Sequence, residues 1–251
     1  MLKERIIEYR ANKFREEHGL ASTEPVDTFK LLSRLSVLTV FQEMSDNFSG
    51  MAVKSGTNRY MLVNSTDILA RQHFTIGHEL YHLFIQENFS NKLCKVGLFD
   101  KKDKEEYNAD WFSSYLLMPE NGIIDLIPPE ELGTNKITLN TVVKMEQYFG
   151  VSRTAILSRL MFIDLIRKDK FDAYKEQGTI IKSALLMGYT DELYTSGNKD
   201  RGKVIGDYGV KAKLLYDKEK ISETDFFGLM SDIGIDLDVK LKIPEDAKAG
   251  G

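Results

Sequence analysis

The feature that most constrains the fold of this chain is the run His78-Glu79-Leu80-Tyr81-His82, set inside a stretch of helical periodicity. Across 66–86 the apolar residues Ile68, Leu69, Phe74, Ile76, Leu80, Leu83 and Phe84 recur at helical intervals, which predicts one long helix. Residues four apart on a helix share a face, so the imidazoles of His78 and His82 can reach one metal ion. Glu79 stands beside them, placed to act on water at that ion. The chain has only 4 histidines. Two of them hold this spacing, which weighs against an ordinary helix surface. Zinc suits two imidazoles in tetrahedral geometry, although ligand type alone also admits Mn2+ in vitro.

A catalytic metal needs a third protein ligand and one open position. The run Glu105-Glu106-Tyr107-Asn108-Ala109-Asp110 opens a second helix, expected over 104–117 and stopped by Met118-Pro119. Glu106 and Asp110 share a face. Glu106 is a candidate ligand, and Asp110 is a candidate acceptor for the second nitrogen of a ligand histidine, a bond that fixes the tautomer. Alone, these carboxylates would read as an acidic helix start favoured by the helix dipole. Beside the histidine pair they read as part of a site. Cys94, the single cysteine, lies twelve residues beyond His82. It is expected to be a plain buried or loop cysteine, with an inhibitory extra ligand or redox sensor as the alternative.

The rest of the chain supplies a frame for these helices. A helix is expected over 2–17 with Gly19 as its C-cap, and a shorter one after Pro25. Segments 36–41, 50–54 and 59–64 read as strands, the last two joined by a hairpin through Ser55-Gly56-Thr57-Asn58. A lysine-rich loop is expected over 89–103. Two helices, 138–149 and 152–166, meet at Gly150-Val151. The segment 187–209 is turn-rich, helix returns near 222–230, and the tail from 245 should be flexible. The fold class is therefore α+β: a small, mostly antiparallel sheet with the metal-site helices, then a helical C-terminal part. The expected division is a domain at 1–130, a helical element at 131–170, and a C-terminal region at 171–251.

Lys+Arg 34 against Asp+Glu 38 gives a formal charge of −4, so nucleic-acid binding would need a local basic patch. One cysteine excludes an internal disulfide framework. No apolar run suits a membrane span, and the charged start MLKERIIEYR is not a secretory signal. A cytoplasmic protein with no membrane partner is the expectation.

Two motifs carry a family resemblance. Arg71-Gln72-His73-Phe74-Thr75-Ile76-Gly77-His78-Glu79-Leu80-Tyr81-His82 is the first. The second is Glu106-x-x-Ala109-Asp110-x-Phe112-Ser113-x-x-Leu116-Leu117-Met118-Pro119. Together they resemble the ImmA/IrrE family of zinc metallopeptidases, as do the shorter pieces Pro25-Val26-Asp27, Gly50-Met51-Ala52 and Val63-Asn64, so that the likeness covers about residues 1–165. The resemblance implies a gluzincin-like site with His78, His82 and Glu106 as ligands and Glu79 as general base. Glu105 competes for the third position, but Glu106 stands thirteen residues before Pro119, as the family's ligand does. Two departures stand out: Tyr81 where the family usually has Gly, and Ser113 where it usually has Ala. Tyr81 is expected to add bulk at the helix contact or cleft and so restrict cleavage. The oxyanion or substrate contact is open among Tyr81, His73 and Tyr115, with Tyr107 and Arg71 also in reach of consideration. Strand 59–64 is a candidate for holding an extended substrate.

The implied activity is zinc-dependent, site-specific cleavage of a helix-turn-helix repressor or antitoxin-like protein, relieving repression in mobile-element or stress regulation. The alternative is a non-catalytic regulator with a structural or vestigial zinc site, binding a repressor or DNA through 139–166. That segment has helix-turn-helix form, with Ser152 as a cap and Arg153 and Arg159 as candidate contacts. A partner protein is favoured over DNA.

Overall fold

A computed structural model describes residues 2–89, 92–94, 96–176 and 180–232. The expected flexible tail lies beyond 232, outside the described residues. The architecture is α+β, as the pattern predicts. Helix α1 (Leu2–Glu17) ends as Gly19 turns to φ +59 and the Leu20 N–H closes onto the Arg15 carbonyl. Asp27 caps α2 (Thr28–Arg34) by accepting from the Lys30 N–H at 3.0 Å. Three strands follow: β1 (Leu38–Gln42), β2 (Gly50–Ser55) and β3 (Asn58–Asn64). The β2–β3 hairpin has its two-residue loop at Gly56-Thr57, with Gly56 at φ +58.

The sheet has the order β4-β2-β3-β1-β5, where β4 is Lys92–Cys94 and β5 is Val204–Ile205. Among the described residues only the β1–β3 pairing is parallel; β2–β3, β2–β4 and β1–β5 are antiparallel. Two findings depart from the sequence reading. The lysine-rich loop contains β4, and the turn-rich C-terminal stretch sends β5 back onto the edge of β1. Strand 59–64 is interior, paired by β2 on one side and β1 on the other, so it has no open edge for a substrate.

Asn64 organises the crossover from β1 to β2. Its amide nitrogen donates to the Phe48 carbonyl at 2.9 Å, and its amide oxygen accepts from the Met44 and Thr66 N–H groups, each at 3.1 Å. This buried side chain fixes the loop that delivers Gly50 to the start of β2.

Helix α3 (Leu69–Phe84) packs across β2 and β3, and α4 (Lys104–Leu117) packs against α3. Gly77 permits the close approach. A Cβ there would lie 2.4 Å from Ser113 Oγ and 3.2 Å from Ser113 Cα. Ser113 uses its hydroxyl to donate to the Phe74 carbonyl at 2.7 Å, so the departure from Ala stitches the two helices together. The remaining helices are α5 (Glu120–Asp125), α6 (Leu139–Phe149), α7 (Arg153–Phe162), α8 (Lys168–Glu176), α9 (Ile180–Leu186), α10 (Tyr208–Asp217) and α11 (Glu223–Asp232). One hydrophobic cluster includes Ile7, Phe41, Leu80, Phe112, Leu117, Val142, Ile156 and Ile205, and so runs across both expected domain boundaries. No helix among the described residues is long and apolar enough to cross a membrane.

Candidate metal centre

The α3–α4 contact brings together the side chains that the two motifs contribute. His78 is fully buried and His82 nearly so, both on the α3 face toward α4. Their Nε2 atoms lie 3.1 Å apart. Glu106, in the first turn of α4, places Oε2 3.3 Å from His78 Nε2 and Oε1 3.6 Å from His82 Nε2. Asp103 positions that turn by capping α4, accepting from the Glu105 and Glu106 N–H groups.

The outer nitrogens fix both tautomers. His78 Nδ1 donates to Asp110 Oδ1 at 2.9 Å, and His82 Nδ1 donates to Gln86 Oε1 at 2.7 Å. Asp110 is itself held by the Gly97 and Phe99 N–H groups at 2.8 and 2.7 Å. Each ring therefore presents a lone pair at Nε2. Two lone pairs facing one another at 3.1 Å, with a carboxylate beside them, repel unless they share a proton or a metal cation. Donors about 2.0–2.3 Å from a tetrahedral ion are about 3.3–3.7 Å apart. The two His–Glu separations, 3.3 and 3.6 Å, fit that figure and the His–His separation of 3.1 Å lies just below it, while the donors of His78, His82, Cys94 and Glu106 all lie within 4.8 Å of one another. The residues present fit a single divalent cation.

Electrostatics agree with that fit. Burial disfavours a charged His78, but Asp110, Cys94, Glu106 and Glu79 outweigh it and raise its pKa well above the usual value. The field that would protonate an imidazole also attracts a metal. Burial, reinforced by Glu106, pushes the Glu79 carboxyl up to about 7, while His78 opposes the shift. Glu79 is fully buried, and neither of its oxygens has a hydrogen-bond partner of ordinary geometry. It borders a cleft of about 250 Å³, lined also by Ala52, His82, Cys94, Glu105 and Glu106. An orphaned buried carboxylate beside a donor cluster is the arrangement a general base needs.

Of the two competing glutamates, Glu106 enters the cluster. Glu105 instead accepts from the Tyr81 hydroxyl at 2.7 Å. Tyr81 lies in the helix contact, 1% exposed, against Phe112 and Asn108, so its bulk fills the core while its hydroxyl reaches the cleft's rim. His73 is spent on structure: its Nδ1 donates to the Gly150 carbonyl at 2.8 Å, tying α3 to the α6–α7 turn. Tyr115 stacks on Trp111 and lies under Arg159, away from the donor set. Tyr107 donates to Glu4 and Arg71 faces Asp67. Among these five, only Tyr81 is linked to a residue lining the cleft.

Arg153 and Arg159 are not surface groups, which corrects their place as contacts for DNA or a partner. Arg153 is fully buried, paired with Glu146 and donating to Ser183 Oγ at 2.7 Å. Arg159 is 1% exposed, donating to Glu8 and the Met118 carbonyl. Their guanidinium groups close the interior where α6 and α7 meet the rest of the chain.

Two contributions escaped the sequence reading. Gln86 is four residues beyond His82, just past the end of α3, where its N–H closes onto the Tyr81 carbonyl; the four-residue spacing was the available signal. The Gly97 and Phe99 N–H groups come from irregular backbone and left no signal.

Comparison with protein families matches residues 33–161 to Peptidase_M78, the IrrE N-terminal-like domain. No curated protein matches the chain. The match spans just over half of the chain and contains both helices of the metal centre, with β1, β2 and β3. The residues whose geometry converges here lie within the matched range, and the chain belongs to the IrrE N-terminal-like domain family, carrying a metallopeptidase-like domain.

Proposed function

We propose that the chain is a zinc-dependent, site-specific endopeptidase acting in the cytoplasm on a helix-turn-helix repressor or antitoxin-like protein, relieving repression in mobile-element or stress regulation. The observation that carries the catalytic part is the convergence of His78, His82 and Glu106 beside the orphaned Glu79 carboxylate. The substrate class is supported by the resemblance of the two motifs, and a small cleft rather than an open trough supports selectivity.

His78, His82 and Glu106 would hold the ion. When bound, zinc supplies polarisation of the scissile carbonyl and acidification of water. Asp110 and Gln86 keep protons on the Nδ1 atoms, which would leave both Nε2 lone pairs available to the ion. Glu79 accepts a proton from the attacking water at one carboxylate oxygen and delivers it to the leaving amine nitrogen. Burial makes that exchange workable near neutral pH by raising the carboxyl's affinity for the proton. Tyr81 is the candidate donor to the developing oxyanion, by release of its hydroxyl from Glu105.

The test is co-expression with the repressor-like product of a neighbouring gene, followed by mass spectrometry of its fragments. Wild type should yield one discrete cut and Glu79→Gln none. A cut that persists in Glu79→Gln overturns the general-base assignment.

A further inference from the structure

The site has a fourth donor, which belongs to an element outside the two motif helices. Cys94 Sγ lies 3.9 Å from His82 Nε2 and 3.6 Å from Glu106 Oε1. Together with His78 Nε2, these atoms all lie within 4.8 Å of one another, close enough for four donors to share one ion.

Strand register sets this placement. Cys94 is paired directly opposite Gly50 across β2–β4, and the Ser49 N–H donates to the Cys94 carbonyl at 2.8 Å. Directly opposed residues in an antiparallel pair face the same side. At Gly50 that side is α3: a Cβ there would lie 3.1 Å from Glu79 Oε1 and 2.5 Å from Thr75 Cγ2. Gly50 leaves room for the thiol to come in beside Glu79. A slip of one residue would turn Cys94 to the opposite face.

We propose that Cys94 is a fourth protein ligand, so that this conformation is a closed centre of His78, His82, Cys94 and Glu106, with β4 as the internal strand that holds it closed. Coordination releases the thiol proton to solvent. A catalytic zinc site keeps one position for water or substrate, and here a side chain fills it. The same short strand covers the outer edge of β2, the edge an extended peptide would pair with near the metal. Lifting β4 would therefore free the coordination position and the strand edge in one movement. The consequence for proteolysis rests on the metallopeptidase reading: the centre is latent until β4 is displaced, and a peptide able to compete for β2 opens it.

The test is X-ray absorption on the zinc-loaded full chain, with optical spectra of cobalt-loaded wild type, Cys94→Ser and Cys94→Ala. Wild type should show one sulfur neighbour at about 2.3 Å among nitrogen and oxygen donors. Its cobalt form should show a thiolate charge-transfer band in the near ultraviolet. Both variants should keep one ion per chain, lose the sulfur neighbour and the band, and cleave faster than wild type. Bound metal in wild type with nitrogen and oxygen donors alone overturns the Cys94 assignment and leaves the His–His–Glu reading standing. Failure of wild type to bind stoichiometric metal overturns both. The wild-type zinc spectrum decides the question even if a variant does not fold.

Discussion

Glu79 and Asp110 show how burial gives two carboxylates opposite tasks. Asp110 is almost fully buried but satisfied, accepting from His78 and two backbone N–H groups. Its function is orientation. Asp110→Asn should lower metal affinity by about 10–100-fold while the fold survives, as measured by competition with a chromophoric chelator; unchanged affinity would contradict the role. Glu79 is buried without such partners, and burial raises it from 4.5 to about 7. In chelator-treated protein the folded state then holds this proton more tightly than the unfolded chain. That contribution to stability is fully present below about pH 4.5 and is lost as pH rises through about 7. Melts of metal-free wild type and Glu79→Gln between about pH 5 and 8 should therefore diverge, wild type losing on the order of 3 kcal/mol relative to the variant. Parallel pH dependence would contradict the buried, unpaired placement of Glu79.

At the scale of elements, α3 and α4 form the structural unit of the site, and glycine decides how closely they meet. Gly77→Ala would drive a methyl into Ser113, including its backbone Cα, so the helices must separate. A cost of about 1–3 kcal/mol and a measurable loss of metal affinity should follow, read by chemical denaturation and metal titration. Both helices were legible because their signals are local. Apolar spacing marks α3; the acidic first turn and the Met118-Pro119 stop bracket α4. β1, β2 and β3 were legible from β-branched runs and the Gly56-Thr57 turn. β4 and β5 were not, because three and two residues carry no periodicity, and each exists only through pairing with a strand distant in sequence. The same limit hid the interior position of β3. The surface role expected of Arg153 and Arg159 failed for a different reason: charge alone does not reveal that a guanidinium is buried against an acidic partner, as Arg153 is against Glu146 and Arg159 against Glu8.

Across the whole molecule, the C-terminal part is fastened to the site-bearing core. The Leu69 N–H donates to the Thr195 carbonyl, and Gly197 sits against Gln72 so closely that no side chain would fit. Behind α3, Glu146 accepts from Arg153 and from the Tyr194 hydroxyl at 2.6 Å, joining α6, α7 and the segment after α9. Arg153→Ala would leave Glu146 buried without its countercharge and should cost about 3–5 kcal/mol in denaturant melts, with no specific effect on DNA binding. A loss below about 1 kcal/mol would contradict the buried pair. The central claim is that two histidines from one helix and a glutamate from another hold a single divalent cation. Elemental analysis of the purified chain measures it most directly. Wild type and Glu79→Gln should each contain one zinc per chain, and His78→Ala, His82→Ala and Glu106→Ala should be depleted while remaining folded. Metal-free wild type after zinc loading, or variants that retain stoichiometric zinc, would contradict it.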